Sequence, residues 1–479
     1  MPWIPTPSDG LDSSDTLRTQ YEIEQSISAL LAEQLAGIKA ADLEVDLHAA
    51  YSRRLLDNPL PPYFVGLDAS RPWVLYWTLH SLALMGQPIE ETLHERLAAT
   101  LAAFQNREGG FGGGPSQLSH LAPTYAAVCA LAYAGEKGWS IIDRSAMYQF
   151  LLSLKQPDGS FIMHHGGEVD VRGSYCALAI ATLLNILTPE LVETTAAFVA
   201  SCQTYEGGLA AAAFATDPSL PTSRAAPLGE AHGGYAFCAA ASWAMAEGPS
   251  QSASPATSPP LPALSDNRGR LDVPALLRWS ASMQANPIEG GGFRGRTNKL
   301  VDGCYSWWCG GLLPIAEYLL GGAEGSDPLD GDELYDRVAL QQYVTLIAQG
   351  PGGGLRDKPG KSPDAYHTCY NLSGASSATS RPVFSHPLYE QITQSFEPGK
   401  ATETTSERTR TAATDATVAT DQHRCRVYGR SLAWEIARPR AREDTTESAD
   451  LVFTHPLFNI CMPAVRAIMG HFYGQAAPA

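Results

Sequence analysis

Apolar residues recur along this chain at helical spacing, with short glycine-rich breaks between the periodic segments. From Leu93 to Phe104 an apolar side chain occupies every third or fourth position, so this stripe covers one face of a helix that ends where the glycines begin. Pro123 and Pro189 stand where the first turn of a helix tolerates proline. Runs with the alternating pattern of strands are scarce, and the pattern therefore predicts an all-α fold.

Five segments repeat one motif, a glutamine followed within a few residues by glycines and an apolar side chain. The motifs begin at Gln105, Gln156, Gln203, Gln284 and Gln349. The first three lie about 50 residues apart, which leaves room for two helices in each interval. Glycine allows the tight reversal between helices. The repeats predict an α-α barrel, in which an inner helix, an outer helix and a glycine-rich turn recur around a ring.

Two polar segments do not fit the repeat. Residues 249–268 are rich in serine, proline and alanine, and residues 400–424 are rich in threonine and alanine. Neither carries enough apolar surface to offset the entropy of ordering, so we expect disordered surface loops there. The predicted organisation is an N-terminal helical extension at 1–66 and one α-α barrel domain at 67–479, with inserted loops at 213–229, 249–268 and 377–453.

Charge and composition exclude several classes of protein. The 479 residues carry a formal net charge of −17, which argues against a broad basic face for nucleic acid or an anionic membrane. No run of about 18 apolar residues occurs, so no membrane span is expected. Residues 1–10 lack the features of a secretory signal, and nine cysteines without a paired pattern fit reduced thiols. We therefore expect a cytoplasmic protein.

Asp302 and Cys304 lie one residue apart at a predicted helix start. A carboxylate and a thiolate at this spacing can reach one Zn²⁺, at about 2.0–2.3 Å, and leave a place for a third protein ligand. His367 is the best candidate for that ligand, because it follows a glycine turn by about the same distance as Cys304 and equivalent positions of a ring face the same cavity. The alternative is a surface turn followed by a buried helix with a core cysteine.

The basic residues of this acidic chain include a cluster just before the candidate zinc ligands. Arg294, Arg296 and Lys299 fall within six residues. With His232 from an earlier repeat, Arg296 and Lys299 would form a site for a phosphate or diphosphate. His232 taken alone fits an ordinary core or surface histidine equally well.

Aromatic residues mark the starts of the predicted inner helices. Trp73 and Trp77 are spaced i and i+4, on one helical face. The others are Tyr175, Tyr235, Trp307, Trp308, Tyr366 and Tyr370. An aromatic core would explain them, but they share segments with the metal and anion candidates, which indicates an apolar pocket beside a diphosphate site.

Seven motifs, in this order, resemble the β subunits of protein farnesyltransferases. They are Arg-Pro-Trp at 71–73, Gly-Gly-Phe-Gly-Gly-Gly-Pro at 109–115, His-Leu-Ala-Pro-Thr-Tyr at 120–125, Gly-Glu-Val-Asp-Val-Arg at 167–172, Glu-Ala-His-Gly-Gly-Tyr at 230–235, Asn-Lys-Leu-Val-Asp-Gly-Cys-Tyr at 298–305 and Asp-Lys-Pro-Gly-Lys-Ser at 357–362. The resemblance extends over 67–374 and returns weakly at 454–473. It implies an α-α barrel that pairs with a helical-repeat α subunit.

The resemblance also implies roles for individual residues. The implied zinc ligands are Asp302, Cys304 and His367, the implied Mg²⁺ ligand is Asp357, and the implied diphosphate contacts are His232, Arg296, Lys299 and Tyr305. The implied isoprenoid and peptide contacts are Trp73, Trp77, Arg172, Tyr175, Tyr235, Trp308, Tyr366 and Tyr370. The implied reaction transfers a farnesyl group from farnesyl diphosphate to the cysteine of a C-terminal Cys-a-a-X motif, in proteins such as small GTPases.

Three alternatives remain open on the sequence. Within the family, the chain could be a type I geranylgeranyltransferase β subunit, although Trp73 with Tyr370 resembles the farnesyl pattern. A terpene cyclase on the same barrel would need an acidic protonating motif, and the nearest match is Asp-Gly-Asp-Glu at 330–333. A non-catalytic helical-barrel scaffold would bind no metal.

Overall fold

The structure is a computed structural model that describes residues 14–37, 42–215, 225–248, 270–321, 333–397, 413–437 and 451–476. Its helices are α1 (Asp15–Leu35), α2 (Val45–Asp57), α3 (Arg71–Leu84), α4 (Glu91–Ala102), α5 (Leu121–Leu131), α6 (Gly135–Trp139), α7 (Arg144–Leu154), α8 (Val171–Leu183), α9 (Pro189–Val192), α10 (Thr195–Ser201), α11 (Gly233–Ala246), α12 (Val273–Ser282), α13 (Tyr305–Trp308), α14 (Leu312–Leu319), α15 (Arg337–Gln342), α16 (Ala365–Ser380), α17 (His386–Ser395), α18 (Ala413–Leu432) and α19 (Met462–Tyr473). Short 3-10 segments occur at Pro62–Ser70 and Pro287–Glu289, and a π-helical turn at Tyr343–Ile347. The strands are β1 (Ala212–Ala215), β2 (Ala225–Leu228), β3 (Pro382–Phe384) and β4 (Trp434–Ile436), which form two antiparallel pairs, β1 with β2 and β3 with β4.

The inner wall of the barrel is a closed ring of helices. In order around the ring, α3, α5, α8, α11, the pair α13 and α14, and α16 each pack against the next, and α16 packs back against α3. These helices are buried on almost every side; in α8 only Arg172 is not buried. A helix that is apolar all round is stable only with neighbours on all sides, which the ring provides. The predicted all-α barrel is confirmed.

The outer helices bury a single face against the inner ring. In α4, Leu93, Leu97 and Leu101 are buried together with Phe104, so the predicted apolar stripe is confirmed. The outer helices α2, α4, α10, α12 and α15 contact the inner helices α3, α5, α11, α14 and α16 respectively. Each repeat therefore contains an inner and an outer helix, as the periodicity predicts.

The glycine turns connect one repeat to the next through their glutamines. In the third turn Gln203 bridges to Leu209 across the reversal. The Gln203 side chain donates a hydrogen bond to the carbonyl of Asp272 (2.9 Å) and accepts one from its backbone N–H (2.8 Å). Asp272 is the N-cap of the next outer helix, α12. Gln284 makes the same pair of bonds with Asp336, the N-cap of α15, so in these turns the glutamine fixes the turn to the outer helix that follows it.

The last turn closes the ring onto the first outer helix. The Gln349 side chain donates to the carbonyl of Asp42 (2.9 Å) and accepts from the backbone N–H of Glu44 (2.8 Å), at the start of α2. His48 of α2 also hydrogen-bonds the Gln349 side chain, at 2.7 Å. The two ends of the repeat array are thus joined by the same device that joins neighbouring repeats.

The C-terminal segment lies across the barrel at the far end from the glycine turns. Tyr76, Tyr125 and Tyr175, from three successive inner helices, each donate a hydroxyl hydrogen bond to a backbone carbonyl within 457–459, at 2.7–3.0 Å. Their hydroxyl groups are buried, so these bonds satisfy donors that water cannot reach. This segment therefore seals one end of the barrel.

Part of one inserted segment is helical where the sequence predicts a disordered loop. Helix α18 occupies 413–432, so the prediction of a disordered loop at 400–424 is wrong for 413–424. The helix is held by tertiary contacts: buried Arg424 donates to the Asn185 side chain (3.0 Å) and to the carbonyl of Gln475 (2.7 Å), and Val427 is buried. The predicted loop at 249–268 and residues 216–224, 398–412 and 438–450 of the other insertions lie outside the described residues.

The N-terminal helices pack on the barrel. Helix α1 lies against Pro287–Glu289 and buries Ile27 completely, and α2 packs on α3. The domain boundary predicted at residue 67 stays a prediction. None of the helices in the described ranges combines the length and apolarity that a bilayer crossing needs.

Candidate active site

The inner helices all begin at the same end of the barrel, because outer and inner helices alternate along the chain. The N-caps of α5, α8, α11 and α16 are His120, Asp170, His232 and Asp364, and the side chain of each accepts a backbone N–H of its own helix at 2.8–3.1 Å. The N-terminus of a helix carries partial positive charge. A ring of such ends favours an anionic ligand at this mouth of the barrel.

The three predicted metal ligands meet at this end. Ligand atoms of Asp302, Cys304 and His367 all lie within 4.8 Å of one another. The His367 Nε2 is 3.4 Å from Asp302 Oδ1, and its Nδ1 is 2.6 Å from Asp364 Oδ2. Asp364 therefore orients the imidazole so that Nε2 faces the other two ligands, as a carboxylate commonly does behind a metal-bound histidine.

The charges of this cluster suit a divalent cation. Burial alone would raise the pKa of Asp302, but hydrogen bonds from His367 and Cys304 outweigh it and bring the pKa to about 2. Burial and the nearby Asp302 charge raise the pKa of the Cys304 thiol well above its usual value. A buried thiol between a carboxylate and an imidazole is a Zn²⁺ donor set with one open position, and only a cation lets the thiol ionise there. The residues therefore fit the metal.

Next to the three candidate metal ligands, Tyr305 and His232 form a hydrogen-bonded pair, and the position of each proton in it can be assigned. The His232 Nδ1 accepts the backbone N–H of Gly234, so in the neutral ring the proton lies on Nε2. Burial, together with the positive charge of Arg296, lowers the pKa of His232 to about 4, and the ring is neutral at pH 7. Nε2 therefore donates to the Tyr305 hydroxyl oxygen at 2.9 Å, which leaves the phenolic proton free for a ligand.

The predicted cations are not equivalent in the structure. Arg296 pairs with Glu230, and both side chains are partly exposed at the mouth. Arg294 instead pairs with the buried Glu289 at 2.9 Å, which makes it a structural residue of the turn. Lys299 is exposed beside them. The structure thus presents Arg296 and Lys299, but not Arg294, as cations accessible to an anionic ligand.

Asp357 lies close to the three candidate metal ligands, on the glycine turn that begins at Gln349. Its backbone carbonyl accepts the Gly303 N–H (2.7 Å), and its carboxylate pairs with the mostly buried Lys358. Burial and the charge of Asp302 raise the pKa of Asp357. Mg²⁺ commonly binds proteins through one or two carboxylates and keeps several waters, and an ion held by Asp357 would have to displace Lys358.

A belt of aromatic side chains lines the barrel beneath the mouth. Ring-to-ring distances of 4.5–5.7 Å connect Trp77, Trp73, Tyr125, Tyr175, Phe237, Trp308, Tyr370 and Tyr366, which returns to Trp77. We call these eight residues the aromatic belt. The aromatic belt contacts the candidate metal ligands, because the rings of Tyr366 and His367 are 5.0 Å apart. Within the belt, Trp308 Nε1 donates to the Tyr366 hydroxyl at 3.1 Å.

Two members of the aromatic belt are absent from the sequence-based pocket. Tyr125 and Phe237 lie five residues after the N-caps His120 and His232, the same offset as Tyr175 after Asp170. Their equivalent positions in the repeat could therefore have identified both from the sequence.

The predicted contacts Arg172 and Tyr235 lie close to each other. Arg172 donates two hydrogen bonds to the Asp170 carboxylate (3.0 and 2.6 Å), and its guanidinium lies 5.9 Å from the Tyr235 ring centre.

A cavity of about 320 Å³ opens beside the aromatic belt. It is lined by Tyr63, Phe64, Leu67, Trp77, Asp364, Ala365 and Tyr366. Its lining is mainly apolar, so an extended hydrocarbon is a suitable ligand for it.

The acidic motif considered for a terpene cyclase is Asp-Gly-Asp-Glu at 330–333, and its residues 330–332 lie outside the described residues.

Comparisons with known proteins give one consistent match. The profile of the prenyltransferase alpha-alpha toroid domain matches residues 43–460. The chain is 41% identical over 408 residues to the protein farnesyltransferase subunit beta of Pyricularia oryzae, covering 79% of this chain and 72% of that protein. It is 38% identical over 360 residues to the protein farnesyltransferase subunit beta of Pisum sativum, covering 64% and 77%.

A solved structure has the same fold. Candida albicans protein geranylgeranyltransferase-I complexed with GGPP matches with a TM-score of 0.57, covering 90% of this chain and 99% of that chain. The sequence identity is 17%, so this likeness concerns the fold alone.

Proposed function

This chain belongs to the prenyltransferase family with the α-α toroid domain, and on that basis we propose that it is the catalytic β subunit of a zinc-dependent protein farnesyltransferase. The relatives named subunit beta support an obligate α-subunit partner. The proposed substrates are farnesyl diphosphate and cytoplasmic proteins that end in Cys-a-a-X. One observation carries the proposal: the ligand atoms of Asp302, Cys304 and His367 lie within 4.8 Å of one another, beside the hydrogen-bonded pair of Tyr305 and His232.

In the proposed reaction the peptide sulfur forms a bond to C1 of the isoprenoid, and the bond from C1 to the diphosphate oxygen breaks. Asp302, Cys304 and His367 would hold the Zn²⁺, and its positive charge would keep the peptide cysteine as a thiolate at neutral pH. Tyr305, directly after Cys304, donates its free phenolic proton as a hydrogen bond to the departing diphosphate. Arg296 and Lys299 offset the negative charge that grows there, and they are already in place before the reaction.

The aromatic belt supports a farnesyl rather than a geranylgeranyl donor. Trp73 packs on Tyr125 (5.7 Å) and Tyr370 packs on Trp308 (4.5 Å), and the hydroxyls of Tyr125 and Tyr175 are held by the sealing segment at 457–459. A rigid floor of large side chains limits the length of hydrocarbon that fits above it, because overpacking a buried site costs about 1–3 kcal/mol. We therefore assign the fifteen-carbon donor.

The decisive experiment measures transfer of labelled isoprenoid to a Cys-a-a-X peptide by the chain with and without the α partner. We expect transfer only by the heterodimer, and preference for farnesyl over geranylgeranyl diphosphate when the two compete. A heterodimer that prefers the twenty-carbon donor would assign the chain to the type I geranylgeranyl enzymes. Absence of transfer with either donor and of bound metal would leave the scaffold as the correct function.

Cys304→Ala tests the metal assignment within the same heterodimer. We expect loss of bound zinc and of transfer, since the thiolate is the strongest of the three ligands. Cys309→Ala is the matched control, because Cys309 is equally buried five residues later and is not among the three ligands. Zinc content measured in both purified variants decides; full zinc retention by Cys304→Ala would refute the site.

Asp357→Ala tests the proposed Mg²⁺ ligand. We expect that added Mg²⁺ accelerates transfer by the unaltered heterodimer and has little effect on the variant, because the variant lacks the carboxylate that would hold the ion against the diphosphate. The rate is measured against Mg²⁺ concentration. Equal Mg²⁺ dependence in both proteins would show that Asp357 does not bind the ion.

A further inference from the structure

Asn371 is fully buried one turn after His367 in α16, and its side-chain amide contacts every backbone segment that bears a candidate metal ligand. Its Nδ2 donates to the carbonyl of His367 (2.8 Å) and to the carbonyl of Arg356 (3.2 Å). The amide also lies against Gly303, the residue between the other two ligands. A Cβ added to Gly303 would stand 2.5 Å from Nδ2 and 2.6 Å from Oδ1.

The same amide takes part in a continuous set of backbone contacts. The Gly303 N–H donates to the carbonyl of Asp357 at 2.7 Å, and the hydroxyl of Tyr343 donates to the same carbonyl at 2.7 Å. Asn371 holds the neighbouring carbonyl of Arg356. The turn that carries two ligands, the turn that carries Asp357 and the helix that carries the third ligand are therefore packed around one side chain.

The amide at this position is not explained by stability alone. The Oδ1 of Asn371 is buried and has no hydrogen-bond partner among the described residues. An unpaired buried acceptor costs stability that an apolar side chain of similar size would avoid. What an apolar side chain could not do is donate to both carbonyls at once.

We propose that Asn371 is a positioning residue for the metal site, an inference that rests on the proposed zinc-dependent function. By holding the turn of Asp302 and Cys304 against the helix of His367, it keeps the three ligand atoms within the 4.8 Å over which one ion can bridge them. Outer contacts of this kind commonly change metal affinity by about 10- to 100-fold.

The test uses the purified heterodimer with Asn371→Leu, which keeps most of the volume, and Asn371→Ser. Zinc affinity is measured by competition with a chelator, and the geometry is read from the thiolate-to-metal absorption of the Co²⁺ form. We expect Asn371→Leu to bind zinc about 10- to 100-fold more weakly, with a shifted Co²⁺ spectrum. Farnesyl diphosphate affinity, measured separately, should stay within about twofold, because the amide acts through the metal ligands.

A matched control separates this role from a general loss of packing. Asn185 is another buried asparagine, donating to the carbonyls of Phe472 and Gln475, and it has a left-handed backbone (φ 57°) that glycine accepts. We expect Asn185→Gly to lower the melting temperature without changing zinc affinity or the Co²⁺ spectrum.

The outcomes are distinguishable. Wild-type zinc affinity and spectrum in Asn371→Leu overturn the positioning role while leaving the proposed function intact. A wild-type heterodimer that binds no metal refutes the proposed function itself. If Asn371→Leu does not fold, Asn371→Ser decides, because a serine hydroxyl at this position can reach the His367 carbonyl but not that of Arg356. Wild-type zinc affinity in Asn371→Ser would then overturn the inference.

Discussion

At the scale of single residues, the helix cap at His232 determines what Tyr305 can do. The cap fixes the imidazole proton on Nε2, and the buried ring stays neutral because its pKa is about 4. Tyr305 therefore accepts from the imidazole and keeps its own proton for a ligand. The sequence indicated both residues as anion contacts, but the direction of the hydrogen bond between them is a property of the folded helix start.

Tyr305→Phe removes that donor without changing the ring. We expect the turnover number to fall by about a hundredfold, as for the loss of one preorganised donor to a developing anion, with a much smaller change in the KM for farnesyl diphosphate. The control is Tyr148→Phe on the outer helix α7, where the hydroxyl bonds Thr188 and Glu190 far from the mouth. Steady-state kinetics of both variants provide the measurement; unchanged turnover in Tyr305→Phe would contradict the assignment.

At the scale of elements, the glycine turns explain why the repeats join into a ring. Gly353, in the last turn, has φ 86°, and a Cβ there would stand 2.2 Å from the carbonyl of Leu47 in α2. The turn thus needs glycine both for its left-handed backbone and for close approach to the first outer helix. Together with the Gln349 contacts, it joins the end of the array to its beginning.

Gly353→Ala should weaken this closure. We expect a loss of about 2–4 kcal/mol of unfolding free energy, from left-handed strain and overpacking combined. Gly352→Ala is the matched control, since a Cβ there meets nothing within 4 Å, and it should change stability by less than about 0.5 kcal/mol. Thermal or denaturant unfolding of the two heterodimers compares them directly, and equal stability would mean that the turn can relax.

At the scale of the whole molecule, buried histidines hold the C-terminal segment to the barrel. His80 in α3 hydrogen-bonds Tyr133 (2.7 Å) and Asn459 (3.1 Å), and His455 lies 2.6 Å from the carbonyl of Ser431. Both rings are fully buried, and burial lowers the pKa of each to about 3. The segment that seals the barrel therefore depends on two histidines that stay neutral in the folded protein.

These histidines predict a loss of stability in mild acid. At His80 and His455 the unfolded chain takes up a proton near pH 6.5 and the folded chain only near pH 3, so the contribution of these two residues to stability is complete above pH 6.5 and falls as the pH drops towards 3. At pH 5.5 the two together cost about 3 kcal/mol. His455→Gln should lower the pH slope of the unfolding free energy by about 1 kcal/mol per pH unit near pH 5.5, the share of one such histidine; the control is His386→Gln at an exposed position. An unaltered slope in His455→Gln would contradict this account.

The sequence by itself determined the fold class and identified the three candidate metal ligands that the structure brings together. Helical periodicity and the glutamine-glycine repeat depend only on local spacing, and they predict the α-α barrel because helices with such faces have few other ways to bury them. Only Gly303 separates Asp302 from Cys304, so the prediction that they share a metal ion could be made from local spacing. His367 was predicted as the third ligand because it follows its glycine turn by about the same number of residues as Cys304, and equivalent positions of successive repeats lie at the same end of a ring.

Only the tertiary structure decided the features that join distant segments. Helix α18 forms because Arg424 finds acceptors on other elements, which its own composition does not reveal. Arg294 and Arg296 are alike in sequence, yet one pairs with a buried glutamate and the other lies at the mouth. The role of Asn371 exists only where three backbone segments meet. Local pattern fixes the elements because its energies are short-range, whereas the partners of a buried polar group are chosen by the packing of the whole chain.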